Sequence, residues 1–184
     1  MTTPMQRLTQ LLAVLLMAGQ LSGCGSMKLE DFADGQPRLD LFDWFSGRST
    51  AWGVFEDRFG TIRRQFKVEL NGRIEGDELI LVEDFVYADG EISQRIWTIR
   101  RDGAGAYVGK APDIVGEATG RAAGNAVNWR YTMDLKVGEG SWRVNFDDWM
   151  LLQADGVLIN RAWVSKLGMN IGSVSLFFSK QEPR

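Results

Sequence analysis

Two carboxylates interrupt alternating apolar stretches of this sequence. Asp148 is in phase with Phe146 and Met150, and Glu83 is in phase with Phe85. In an extended strand, alternate residues point to the same face, so each carboxylate is predicted to lie on an apolar face. A carboxylate in such surroundings must be protonated, paired or solvated. These two positions are therefore the first candidates for a functional site.

Two arginines are predicted to pair with these carboxylates. Arg161 is in phase with Ile159 and Trp163, and Arg64 stands two residues from Phe66. Such a cluster predicts a polar head-group site at the mouth of a cavity whose apolar residues hold an acyl chain. The alternative is a structural ion pair that fixes the register of two strands. The candidate ligand-binding residues are Arg161, Asp148, Glu83, Arg64, Trp129, Tyr131, Phe146 and Trp163.

The residue types limit catalysis. Asp147 and Asp148 are neighbours on one strand and face opposite ways, whereas a cross-strand pair of Asp148 and Glu83 stays open as an acid and a nucleophile. The chain has no His and a single Cys, which excludes imidazole catalysis, an internal disulfide and a Cys-rich zinc site. The carboxylates lack the spacing of a calcium loop. We predict no catalytic residue, no metal and no cofactor. We therefore favour a protein without enzymatic activity over an enzyme.

Length and charge narrow the class of protein. A chain of 184 residues is by default one domain. Its net charge is −3, its pI is near 5.1, and no run rich in Lys or Arg is present. Nucleic acid is therefore excluded as an expected partner.

The N-terminal residues have the pattern of a lipoprotein leader. Arg7 precedes the apolar run 11–18, which is too short to span a bilayer, and Leu21-Ser22-Gly23-Cys24 follows. This sequence resembles the bacterial lipobox, which implies cleavage before Cys24 and acylation of its thiol. Gly25-Ser26 then favours the outer membrane, on its periplasmic leaflet. We predict a signal peptide (1–23), the lipidated Cys with a tether of weak local structure (24–38), and one β-barrel domain (39–182).

The remainder of the chain alternates with a period of two. A single helical turn is predicted at 41–45, and turn signals such as Asn71-Gly72 and Asp155-Gly156 separate the apolar stretches. About ten strands are predicted, at 49–56, 61–70, 78–87, 92–100, 106–110, 114–121, 127–135, 142–152, 157–165 and 171–180.

Consecutive short strands with tight turns predict an all-β, antiparallel, up-and-down meander. Ten strands with one apolar face must close into a barrel or pair as a sandwich to protect their edges. We favour a lipocalin-like barrel over a sandwich, because closed barrels of this size leave room for a ligand. A transmembrane barrel is disfavoured, since its strands would carry the apolar band outside.

Several segments together resemble one known family. They are Glu83 to Tyr87 with Asp89-Gly90, Trp129-Arg130-Tyr131, Asn145 to Met150, and Leu158 to Ala162. As a set they are similar to a family of small Gram-negative lipoproteins known only as a domain of unknown function, with a lipocalin-like barrel expected. The resemblance implies a lipid-anchored periplasmic protein, often encoded near enzymes that modify fatty acids.

Three functions follow as expectations. The first is a lipid-anchored periplasmic barrel that binds an apolar ligand such as a fatty acid, another acyl chain or a lipid. The second is an envelope scaffold or interaction protein whose barrel is filled by its own side chains. The third is a hydrolase or isomerase that acts on a lipid through Asp148, Glu83 and Arg161.

Overall fold

The computed structural model describes residues 27–180 of the chain, which are almost entirely β-structure. Within this described part, no helix is long and apolar enough to cross a lipid bilayer. One short helix, α1, precedes ten strands. The elements are α1 (Leu41–Phe45), β1 (Gly47–Asp57), β2 (Ile62–Glu75), β3 (Glu78–Tyr87), β4 (Ile92–Arg101), β5 (Ala106–Lys110), β6 (Ala118–Ala123), β7 (Ala126–Val137), β8 (Gly140–Leu152), β9 (Leu158–Lys166) and β10 (Met169–Ser179).

The ten strands form one closed antiparallel barrel in which each strand pairs with its neighbours in sequence. β1 and β10 complete the ring, with a register that runs from Thr50 opposite Ser179 to Asp57 opposite Gly172. The predicted up-and-down barrel of about ten strands is therefore confirmed. Because every strand has two partners over at least part of its length, none of the ten is an edge strand.

Helix α1 closes the end of the barrel at which β1 begins, which we call the closed end. The Asp40 carboxylate accepts hydrogen bonds from the backbone N–H groups of Phe42 and Asp43, which caps the helix. Four of its five residues are buried, and the Phe45 ring meets Phe178 edge to face at 5.8 Å. The opposite end, where β1 finishes, has no such plug among the described residues and is called the open end.

The Asn71-Gly72 pair is part of a strand, so its prediction as a turn was wrong. β2 continues through both residues, and the turn follows at 76–77. A Cβ on Gly72 would lie 1.9 Å from the carbonyl oxygen of Phe45. The glycine is therefore required by the close approach of α1 to the barrel wall, not by a positive φ angle.

The segment predicted as a tether packs on the barrel from Leu29 onward. Leu29–Phe32 form a 3₁₀ turn, and the Phe32 ring lies 5.9 Å from that of Trp149 on the outer wall. Leu39 then donates a backbone hydrogen bond to Gly124. Polar composition indicated weak structure, but one aromatic contact and this backbone bond hold the segment. Residues 1–26, including Cys24, lie outside the described residues.

Strand β9 faces the opposite way from our prediction. Leu158, Asn160, Ala162 and Val164 are buried inside the barrel, whereas Arg161 is exposed on the outer face. Both faces of β9 carry apolar residues, so alternation alone does not choose between them. The pairing of β9 with β8 fixes the choice, since it places Ala162 opposite Asp148.

The orientation of β9 generates a stability prediction. Leu158→Ala should lower the free energy of unfolding by about 2–5 kcal/mol, because a fully buried side chain leaves a cavity. Ile159→Ala, one residue along on the outer face, is the matched control and should cost clearly less. Urea denaturation of both variants measures the difference. The reverse ranking would mean that the strand is turned over.

Candidate ligand cavity

An apolar cavity of about 510 Å³ runs inside the barrel from α1 to the open end. This volume falls within the range of about 300–1,000 Å³ that is usual for small-molecule sites. Aromatic and aliphatic side chains from all the long strands form most of its wall. Those from the half near α1 are Leu41, Phe45, Val68, Leu81, Trp97, Ile99, Trp129 and Phe178, and those nearer the open end include Phe55, Phe66, Phe85, Tyr87, Tyr131, Leu135, Phe146 and Val174.

Glycines on the short strands β5 and β6 make room for the largest side chain of the wall. A Cβ on Gly109 or Gly120 would lie 2.7 or 2.2 Å from the Trp129 ring. The indole therefore packs directly against the backbone of these two glycines. Its ring centroid lies 5.8 Å from that of Trp97 in an edge-to-face arrangement. These two tryptophans form one apolar side of the cavity.

Three aromatic residues predicted for the site do line the cavity. Trp129, Tyr131 and Phe146 all point inward. The rings of Tyr131 and Phe146 stack at 4.8 Å with an interplanar angle of 9°, and Trp97 meets Tyr131 edge to face at 5.6 Å. Tyr131 is only partly covered by protein, so its ring faces the open space of the cavity.

Asp148 lies inside the barrel, as the alternation of β8 predicts. It is buried, and the Asn160 side-chain amide donates a hydrogen bond to its carboxyl group. Burial raises the pKa of Asp148 to about 7, with the nearby Glu83 charge adding to the effect and the Asn160 hydrogen bond opposing it. Asn160 is 2% exposed, and its own Oδ1 atom has no hydrogen-bond partner within the described residues.

Glu83 also faces the cavity, where its partner is Arg95. An Arg95 guanidinium nitrogen lies 3.7 Å from Glu83 Oε2, and the side chain of Trp97 hydrogen-bonds the same carboxyl group. Burial raises the pKa of Glu83 to about 6 against the lowering effect of these two neighbours. Like Asn160 Oδ1, Glu83 Oε2 accepts no hydrogen bond from the described residues.

Arg95 is held from its other side by Asp113. Its Nε and Nη2 atoms donate to the Asp113 carboxylate at 3.0 and 2.8 Å. Asp113 belongs to the connection 111–117, which covers the wall where β5 and β6 are too short to reach the open end. One half-buried guanidinium thus faces two carboxylates, and Asp148 adds a third carboxyl group to the same interior. We call Glu83, Arg95, Asp113, Asp148 and Asn160 the interior polar cluster.

The predicted pairing of Arg161 with these carboxylates was wrong. Arg161 lies on the outer face of β9, with its guanidinium 5.2 Å from the Trp163 ring, and neither residue lines the cavity. The lipid hydrolase or isomerase hypothesis that used Arg161 loses that residue. Asp148 and Glu83, in contrast, both contribute to the interior polar cluster.

Sequence reasoning missed Arg95, Asp113 and Asn160. A signal for Arg95 existed, because the turn at 88–91 pairs Val86 with Ile92 and so places Glu83 directly opposite Arg95. Asp113 lies in a connection and Asn160 lies on the strand with apolar residues on both faces. For those two residues no comparable signal is present.

Arg64 lies at the open end of the cavity, and its partners differ from those predicted. Its guanidinium stacks on the Tyr87 ring at 3.7 Å and bonds the carboxylates of Asp89 and Glu91 at 3.1 and 3.0 Å. It does not reach Glu83 or Asp148. Arg64 therefore lies at the cavity mouth and is not part of the interior polar cluster.

Apolar side chains surround the open end. The exposed large hydrophobic residues of the turns and strand ends there are Phe59, Ile62, Ile92, Val137, Trp142, Leu167 and Met169. At the closed end, two exposed large hydrophobics of the described chain, Ile74 and Phe177, occupy comparable strand ends. The cavity mouth is therefore set in an apolar rim.

The fold and cavity define a class: an antiparallel up-and-down β-barrel, consistent with a lipocalin-like barrel, with a plugged end and an internal apolar space. The chain belongs to the family described as "Protein of unknown function (DUF3833)", whose model matches residues 18–180. A comparison with curated proteins finds no match.

The raised pKa values generate a pH prediction. A carboxyl group with a higher pKa in the folded state binds its proton more tightly there, so its contribution to stability is fully present below the unfolded-state pKa and is lost as pH rises through the folded-state pKa. For Asp148, with a pKa of about 7, we expect the free energy of unfolding to fall by roughly 1–3 kcal/mol between pH 5 and 8. Urea melts across this range measure the slope.

Matched variants assign that slope to Asp148. Asp148→Asn should reduce the slope, because only Glu83 of the described residues then remains as a carboxyl group with a raised pKa in the cavity. Asp147→Asn, one residue away and bound to Asn128 and Arg130 on the outer face, should change the slope much less, because the Asp147 charge is the smallest contribution to the raised pKa of Asp148. An Asp148→Asn variant with an unchanged slope would contradict the burial of this carboxyl group.

Proposed function

We propose that this barrel binds an elongated apolar molecule, such as the acyl chain of a lipid, in its interior. The observation that carries the proposal is the cavity of about 510 Å³ in a barrel that its own side chains do not fill. A barrel that served only as a scaffold would gain stability from a filled interior, because empty apolar space forfeits packing contacts. The open space therefore favours ligand binding over the scaffold hypothesis.

The shape and lining of the cavity suit a chain-like molecule. Phe66, Phe85, Tyr87 and Tyr131 are inward-facing yet only partly covered by other protein atoms. Each therefore offers apolar surface that a ligand would remove from water, at about 25 cal/mol per Å². The apolar rim of the mouth extends the same surface to the outside.

We also propose that the protein is a lipoprotein, anchored through Cys24 to the periplasmic leaflet of the outer membrane. The lipobox-like sequence and the family resemblance support this proposal. More than one acyl chain on one cysteine would make the anchor nearly permanent, because each buried methylene contributes about 0.8 kcal/mol. An anchored barrel with an apolar interior would work next to the bilayer that contains its ligands.

A cavity-filling substitution tests ligand binding. Val174 lines the cavity on β10 and is half-buried, so Val174→Trp places an indole in the space that the ligand would occupy. We expect it to abolish displacement binding of a fluorescent alkyl probe. The physical reason is exclusion of the ligand, so the thermal melt should remain cooperative.

Ser175→Trp is the matched control. Ser175 is the next residue on β10 and does not line the cavity, so the same side chain is added to the outer face. Probe binding should be retained. Equal binding by both variants, or no probe binding by the wild type, would defeat the proposal that the interior holds the ligand.

Lipidation is tested by Cys24→Ser expressed in a Gram-negative host. No other thiol is present in the chain, so metabolic labelling with a fatty-acid analogue should be lost completely. Mass spectrometry of the wild-type protein should show the added acyl mass on the N-terminal peptide. A wild-type protein that carries no acyl group would refute the anchor.

A further inference from the structure

The interior polar cluster is placed where a ligand's head would come to rest. Glu83 lies opposite Arg95 on β3 and β4, and Asp148 lies opposite Trp129 on β8 and β7, so the cluster is part of the wall between α1 and the open end. Phe66, Phe85 and other aromatic residues continue from the cluster to the mouth. A molecule with one polar end would therefore place that end at the cluster and its chain along the apolar wall.

We propose that the cavity selects a single-chain, lipid-like molecule whose head is uncharged and donates hydrogen bonds, as the hydroxyl of a long-chain alcohol does. The inference rests on the proposed function, since it presumes that a chain enters the barrel. It names the head-group chemistry, which the apolar wall alone leaves open.

Two oxygen atoms of the cluster accept no hydrogen bond from the described residues, and one of them, Glu83 Oε2, has only the 3.7 Å ion pair with Arg95. Asn160 Oδ1 and Glu83 Oε2 are buried and accept no hydrogen bond within the described residues. A buried acceptor without a donor costs free energy comparable to a lost hydrogen bond. A hydroxyl head brings a donor to these atoms, whereas an ester or a carboxylate brings only further acceptors.

The charge of the cluster disfavours an anionic head. Arg95 is the cation of the cluster, and its guanidinium is already bound by Asp113 and paired with Glu83. Asp148 adds a further carboxyl group, which is held by an amide and not by a cation. A fatty-acid carboxylate would enter a region where carboxyl groups outnumber the single guanidinium, and like charges repel strongly at low dielectric.

Three probes that share one chain length test the head group on the full-length protein. Dodecanol, laurate and methyl laurate are compared by displacement of an uncharged fluorescent probe at pH 8, where laurate is ionised. We expect dodecanol to bind about tenfold more tightly than either of the others, since only dodecanol donates a hydrogen bond without carrying charge.

The outcomes separate this inference from the proposed function. Equal affinity for all three probes, or tighter binding of laurate or methyl laurate, overturns the head-group selection and leaves chain binding intact. Displacement by none of the three overturns the proposed function, and the head-group inference with it. All three probes are applied to the same wild-type protein, so no outcome depends on the folding of a variant.

A pair of variants tests whether the cluster causes the selection. Glu83→Gln keeps an acceptor in place and removes a negative charge, so laurate should bind about tenfold more tightly while dodecanol changes less. Asp84→Asn removes the same charge from the exposed outer face of β3 and should leave both affinities unchanged. An unchanged ratio of the two affinities in a folded Glu83→Gln protein overturns the role of the cluster.

Discussion

The pairing of β1 with β10 is the contact on which the architecture depends. Eight residue pairs join the first strand to the last, and without them two long edges would present unpaired N–H and C=O groups to solvent. Closure also sets the width of the interior, because a ring of ten strands is too wide for its inward side chains to fill. The cavity is thus a result of strand number, and α1 closes only one of its two ends.

Within that space, the interior polar cluster is expensive to maintain. Moving ionised groups out of water costs several kcal/mol each, and well-packed apolar residues in their place are often at least as stable. The arrangement around Arg95 recovers part of this cost through two charge-assisted hydrogen bonds to Asp113. Asp148 reduces its own cost by a raised pKa. Stability alone does not account for the interior polar cluster. Ligand binding explains its presence better.

The sequence predicted the architecture better than it predicted the site. The bounds of β3 and β5 match those expected, because alternation and turn residues are local signals. Gly72 misled the turn prediction, since its role is a close approach that only the folded chain creates. The orientation of β9 was lost because both of its faces are apolar. Asn160 and Arg161 exchanged roles for that one reason, and the predicted partner of Asp148 changed from a cation to an amide.

The short strands β5 and β6 have a mechanical consequence. Between the outer halves of β4 and β7, the wall consists of the connection 111–117, held by single backbone contacts such as Val115 to Thr132 and by the Arg95 bond to Asp113. Elsewhere neighbouring strands pair along most of their length, with register irregularities at Phe55–Glu56 and Asn170–Gly172. Local opening is easiest where hydrogen bonds are fewest. The backbone amide protons of this connection should therefore exchange with solvent faster than those of the paired strands. The barrel wall should therefore open most easily at the connection 111–117.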